Sequence, residues 1–132
     1  GFYTRGINNI GSGNVDLVAG LIVVLLIDTS LYTVDLALDE FQSDIPDAAV
    51  IAEKTLLANS STRAVFDADD LTFTNLAAGQ DVGAFVLVRN SGAYATSELL
   101  AYIDNAAELP VTPDGTDFTI QWDSGPSKIM AL

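Results

Sequence analysis

The residues whose types could support chemistry are few, and most are carboxylates. Asp67, Asp69 and Asp70 form the one dense acidic group in the sequence, and hard oxygen ligands of this kind suit calcium. Their spacing departs from the calcium-loop pattern: Leu71 stands at its fifth position, Thr72 at the turn glycine and Ala78 at the closing bidentate glutamate. A solvated turn between two strands fits them better, and no metal or cofactor is expected. Histidine and cysteine are both absent, which removes a serine–histidine relay, thiolate metal ligation and disulfides. Gly11-Ser12-Gly13 is a lone glycine pair without the dinucleotide fingerprint. Neither Lys54 nor Lys128 sits in a phosphate loop. A paired-carboxylate hydrolase would need two acids to converge in space, and no local pattern marks such a pair. No catalytic residue is assigned, and the reading is of a protein that is not an enzyme.

The composition points to packing and adhesion instead. The 132 residues are 49% hydrophobic and carry 18 acidic against 5 basic side chains, a formal charge of -13. A chain of this length buries roughly 65–70% of its unfolded surface as one domain. Arg5, Lys54, Arg63, Arg89 and Lys128 are scattered, so nucleic acid is not an expected partner, because phosphate binding needs gathered cations. The apolar run Val18–Ile27 is about half the roughly 20 residues of a membrane-spanning helix. Membrane anchoring, a signal peptide and lipidation are therefore not expected, and the lack of cysteine fits synthesis in a reducing cytoplasm.

The elements that would position these groups are mostly strands. Residues 1–14 read as an extended, irregular N-terminal arm, and 15–132 as a single β domain. Continuous apolarity from Val15 to Asp28 predicts a central strand buried on both faces. Thr33–Ser43 holds the only helical turn, with Leu38 and Phe41 three apart and Pro46 beyond. Ala49–Ala58 is open between helix and strand. Leu71–Thr74 and Asp117–Asp123 alternate as half-buried strands, and Ala84–Val88 and Leu99–Ile103 are short apolar strands between turns at Gly92, Gly115 and Gly125. The fold class is mainly β: an antiparallel β-sandwich or jelly-roll-like barrel with at most one or two short helices.

Two places could hold an adhesive surface. Phe2 and Tyr3 on the arm are either frayed or docked on a neighbour, with Arg5 pairing to a carboxylate there. These three are the expected partner-binding residues. Trp122, the sole tryptophan, could anchor an interface, but its alternation with Phe118 and Ile120 favours a core position.

Five segments, in order, carry a resemblance. Arg63-Ala-Val-Phe-Asp-Ala-Asp-Asp-Leu-Thr-Phe73, Phe85-Val-Leu-Val-Arg-Asn-Ser-Gly92, Ala95-Thr-Ser-Glu-Leu-Leu-Ala-Tyr-Ile-Asp104, Leu109-Pro-Val-Thr-Pro-Asp-Gly115 and Phe118-Thr-Ile-Gln-Trp-Asp-Ser-Gly-Pro-Ser-Lys-Ile129, with Ser43-Asp-Ile-Pro46 upstream, resemble the small decoration or cement proteins of tailed-bacteriophage heads. The resemblance implies a virion structural protein on the outer surface of the capsid, made in the host cytoplasm. Its implied partners are the major capsid protein and itself, as a homo-oligomer with a trimer favoured over a dimer. The family supplies no catalytic residue. Another phage component, such as a head fibre base, tail or adaptor protein, is the alternative, and a carbohydrate-binding or carboxylate-based hydrolase domain a more remote one.

Overall fold

A computed structural model of the chain describes residues 1–62, 64–122 and 129–131. Arg63, Asp123, Gly125 and Lys128, which figure in the expectations above, lie outside the described residues. Among the described residues the strands are β1 (Ile22–Ile27), β2 (Val50–Thr55), β3 (Ser60–Thr62), β4 (Val65–Asp67), β5 (Leu71–Phe73), β6 (Ala84–Arg89), β7 (Leu99–Ile103), β8 (Phe118–Ile120) and β9 (Met130–Ala131), with one α-helix, α1 (Thr4–Gly11). A four-stranded sheet has the order β2-β1-β6-β7, and smaller sheets have the orders β3-β4-β9 and β5-β8. Among the described residues every strand pairing is antiparallel. The chain is thus mainly β, and of the two arrangements expected no closed barrel forms among the described residues.

The large sheet is covered on both sides because β1 is apolar at every position, and all six of its residues are buried. Successive side chains point to opposite faces, so β1 feeds two cores. Ile22, Val24 and Leu26 join Phe85, Leu87 and Leu100 on one face, over which Phe66, Leu71, Phe73 and Ile120 of the smaller sheets pack. Val23, Leu25 and Ile27 join Val86, Val88 and Leu99 on the other, beneath Tyr3, Tyr32, Ile45 and Ala49. Each fully buried aliphatic or aromatic side chain of this set contributes roughly 1.5–3 kcal/mol relative to exposure.

Where the structure differs from expectation, local polar groups or distant pairing decide. The first strand starts at Ile22 and not at Val15, because Asp16 Oδ1 accepts Val18 N and Ala19 N at 2.9 Å and closes a turn. Between Thr33 and Ser43 one helical-type bond forms, Asp39 N to Asp35 O at 2.9 Å. It does not propagate, since Asp35 Oδ1 takes Ala37 N and Leu38 N, and Asp39 Oδ2 takes Asp35 N. Short 3-10 turns at Gln42–Asp44 and Asp47–Ala49 follow. Val50–Thr55 becomes strand despite its Ala, Glu and Lys, because β1 supplies a ladder.

The segment expected as an arm outside the domain is the largest correction. Residues 1–14 fold back onto β7: Phe2 bridges Ala101, and α1 follows with Gly6 buried. A Cβ on Gly6 would stand 2.2 Å from Leu99 O and 3.0 Å from Leu100 Cα. Glycine is what lets the helix backbone lie against the strand backbone.

Candidate functional site

Phe2, Tyr3 and Arg5, expected together at a partner surface, meet different fates. Gly1 to Tyr3 run along the outer edge of β7. The Gly1 nitrogen donates to Tyr102 O at 2.6 Å, Tyr102 N to Gly1 O at 2.8 Å and Tyr3 N to Leu100 O at 3.1 Å. Alternation then sends neighbouring side chains to opposite faces. Tyr3 is fully buried, with its hydroxyl 3.0 Å from that of Tyr32, which donates to Asp39 Oδ2 at 2.6 Å. Burial is the main cause that pushes both phenols above the ordinary tyrosine value, and at Tyr32 the bonds to Asp39 and Tyr3 raise it further. These are neutral donors that lock the N-terminal residues to the 32–39 loop.

Tyr3 is therefore a core residue of its own chain, because the open edge of β7 gave the segment a place to pair. Arg5, expected to pair with a carboxylate of a neighbour, pairs within its own chain: Nη1 lies 3.2 Å from Oε1 of Glu40, whose Oε2 accepts Asn9 Nδ2 at 3.4 Å. The pair is largely solvated and stabilises little. Phe2 differs from both. It is half-buried and packs on the core face opposite Tyr3.

Trp122 packs against the same core. Phe2 and Trp122 line a cleft of about 550 Å³ whose walls include Ile103, Ile120 and Ile129, with Glu108 among its polar lining residues. Trp122 extends the alternating face of β8 and packs against the core from a half-buried position. The acidic turn holds it: Trp122 N donates to Asp70 Oδ1 and its indole Nε1 to Asp69 O, each at 3.0 Å. Asp67 instead sits in β4 opposite Ser60. The three carboxylates are thereby split between a strand and a turn that buttresses an aromatic wall. Among the described residues, no group of three or more acidic side chains is gathered as a metal site would require.

The cleft can bind an apolar group with polar contacts at its rim. Glu108 Oε1 already accepts Gln121 N at 3.2 Å. Other carboxylates brace loops in the same way. Asp28 accepts Ser30 Oγ and N, Asp44 accepts Glu40 N and Phe41 N, and Asp114 accepts Thr116 Oγ1 and N. Hydrogen bonds hold Asp16, Asp28 and Asp114 below the usual carboxylate range. The sequence marks Phe2, Trp122 and the acidic turn separately. It has no signal for Glu108 or Ile103, because the cleft is assembled from segments that the chain order keeps apart.

No protein-family model matches the chain, and the search of curated proteins gives no match. Among the described residues, no helix is long and apolar enough to cross a membrane.

Proposed function

We propose that this protein is a decoration, or cement, protein of a tailed-bacteriophage head, bound to the outside of the major capsid shell and reinforcing the mature lattice. The observation that carries the reading is the ordered series of segments resembling that family, four of which include β4, β5, β6, β7 and β8 while the fifth, Leu109–Gly115, lies between β7 and β8. A clamp of this kind stabilises the expanded shell by binding it in preference to the unexpanded one. It needs stiffness and surface rather than catalysis or a cofactor. A sheet buried on both faces and loops tied by their own carboxylates provide stiffness, and the charge of -13 suits an outer face that does not compete for packaged DNA. Self-association as a trimer over local symmetry positions belongs to the same proposal.

The test is reconstruction of expanded shells incubated with the purified protein. Regular coverage of the head is the expected result. Density confined to one vertex would assign the chain to a tail or adaptor role and overturn the proposal. Mass measurement in solution tests the trimer, and a stable monomer at micromolar concentration would exclude it.

A further inference from the structure

The four-stranded sheet has two unlike edges. At β7 the edge is closed twice, by Gly1 to Tyr3 and by the Phe41–Glu98 bridge, where Leu99 N donates to Glu40 O at 2.8 Å and Gln42 N to Ser97 O at 2.9 Å. At β2 it is open. Lys54 pairs with Val24 and Ala52 with Leu26 in the β1–β2 ladder, and Leu56 N donates to Ile22 O at 2.8 Å. That last bond sets the alternation. Lys54 and Ala52 turn their backbone groups toward β1, whereas Glu53 and Thr55 turn theirs away from it. Among the described residues, none hydrogen-bonds the outward N–H or C=O of Glu53 or Thr55.

Sheet edges are commonly guarded by a lysine. Lys54 does not serve here, because its Nζ reaches across the covered face to Thr72 O. Beside the open edge lies a recess of about 340 Å³ lined by Gln42, Asp47, Val50, Ala52, Glu53 and Tyr94. Tyr94 is 53% exposed. The described cations are all engaged elsewhere: Arg5 on Glu40, Arg89 on Glu98 and Lys54 on Thr72. The two carboxylates of the recess therefore lack a counter-ion from the described part of the chain.

We infer that the β2 edge is where an extended segment of a partner protein adds as a strand, placing a Lys or Arg side chain in the recess beside Tyr94, Asp47 and Glu53. Free backbone groups at alternate residues are matched only by another strand, and an acidic recess with an aromatic wall selects a basic side chain on it. A second copy of this chain fits less well. Two-fold pairing of β2 with itself about its charged centre sets Glu53 against Glu53 or Lys54 against Lys54, between molecules that each carry -13. Assigning the segment to a capsid subunit rests on the cement reading, whereas the edge chemistry does not.

The experiment uses the whole protein and two synthetic nonapeptides of alternating Thr and Val, one with a central Lys and one with a central Glu. Amide exchange at Glu53 and Thr55 is expected to slow at least tenfold with the Lys peptide and to be unchanged with the Glu peptide. Thr55→Pro removes an outward N–H that the fold does not use, so it should abolish binding while the thermal melt holds. Glu53→Lys, which leaves the backbone intact, should exchange the preference between the peptides. Unchanged exchange at millimolar peptide, or binding that survives both substitutions, overturns the inference. Protection that grows with protein concentration without peptide assigns the edge to a second copy and overturns it too. Shells that bind the Thr55→Pro and Glu53→Lys variants normally would remove the edge but leave the cement reading standing. Peptide binding by a protein that ignores shells would do the reverse.

Discussion

Replacing Gly6 by alanine tests the docking of the N-terminal segment through the sign of the effect. In an isolated helix Gly→Ala is favourable by about 1 kcal/mol, and in a free arm it is close to neutral. In the folded chain the new Cβ would lie 2.2 Å from Leu99 O, against an ordinary carbon–oxygen approach of about 3.3 Å. The obstructing atoms are strand backbone inside a sheet, so α1 must retreat by about 1 Å, straining the Tyr3–Leu100 and Gly1–Tyr102 bonds next to it. Overpacking of this sort costs about 3 kcal/mol at its upper end, which leaves a net loss of about 2 kcal/mol once helix propensity is subtracted. For a domain of this size the melting temperature should fall by about 8 °C. Gly11→Ala is the matched control at the other end of the same helix, where a Cβ meets nothing within 4 Å; it should be neutral or stabilise by up to about 1 kcal/mol. Thermal melts by circular dichroism measure both. A Gly6→Ala protein that melts at or above the Gly11→Ala protein would refute the docked segment.

Three further outcomes follow from individual contacts. Tyr3→Phe removes the 3.0 Å bond to Tyr32 but leaves Tyr32 donating to Asp39, so urea titration should show a loss of about 1 kcal/mol. Glu98→Ala strands Arg89, whose Nη2 lies 2.6 Å from a glutamate side chain only 6% exposed; breaking such a pair costs about 3 kcal/mol, read by the same titration. Hydrogen bonding from Ser30, through its side chain first, lowers the Asp28 pKa in the fold, so the unfolded chain binds more protons as the solution is acidified. The stability that Asp28 contributes is full above the unfolded carboxylate value of about 4 and is lost as pH falls through the depressed folded value. The difference in melting temperature between wild type and Asp28→Ala should accordingly shrink toward zero in strong acid.

The parts of the fold that were legible in the sequence are those written locally. An unbroken apolar run announces β1, and alternation announces β5 and β8, since a strand's periodicity needs no knowledge of its neighbours. The helix α1 was not legible, because Thr4-Arg-Gly-Ile-Asn-Asn-Ile-Gly11 has two glycines and two asparagines and therefore weak intrinsic propensity. Tertiary docking on β7 supplies what local preference lacks. Likewise Phe2 and Tyr3 looked unable to reach a core, since nothing local reveals that the edge of a strand a hundred residues away is open to them. The candidate cleft was half visible through Phe2, Trp122 and the acidic turn. The open edge at β2 was invisible, because edge position is a property of strand order and not of any segment.

The bond from the Gly1 nitrogen to Tyr102 O spans 101 positions, and this has a consequence for how the chain reaches its native state. Residues 1–3 are made well before β7 yet find their place after it, because β7 must be made and paired with β6 before its outer edge exists. Until then Phe2 and Tyr3 stay uncovered, and the face over Val86, Val88 and Leu99 lacks the tyrosine that covers it. Loop closure over such a separation is slow relative to local pairing. The docking of residues 1–14 should thus be a late event that completes a sheet already formed, and a nascent chain that ends before β7 should leave residues 1–14 open to proteolysis.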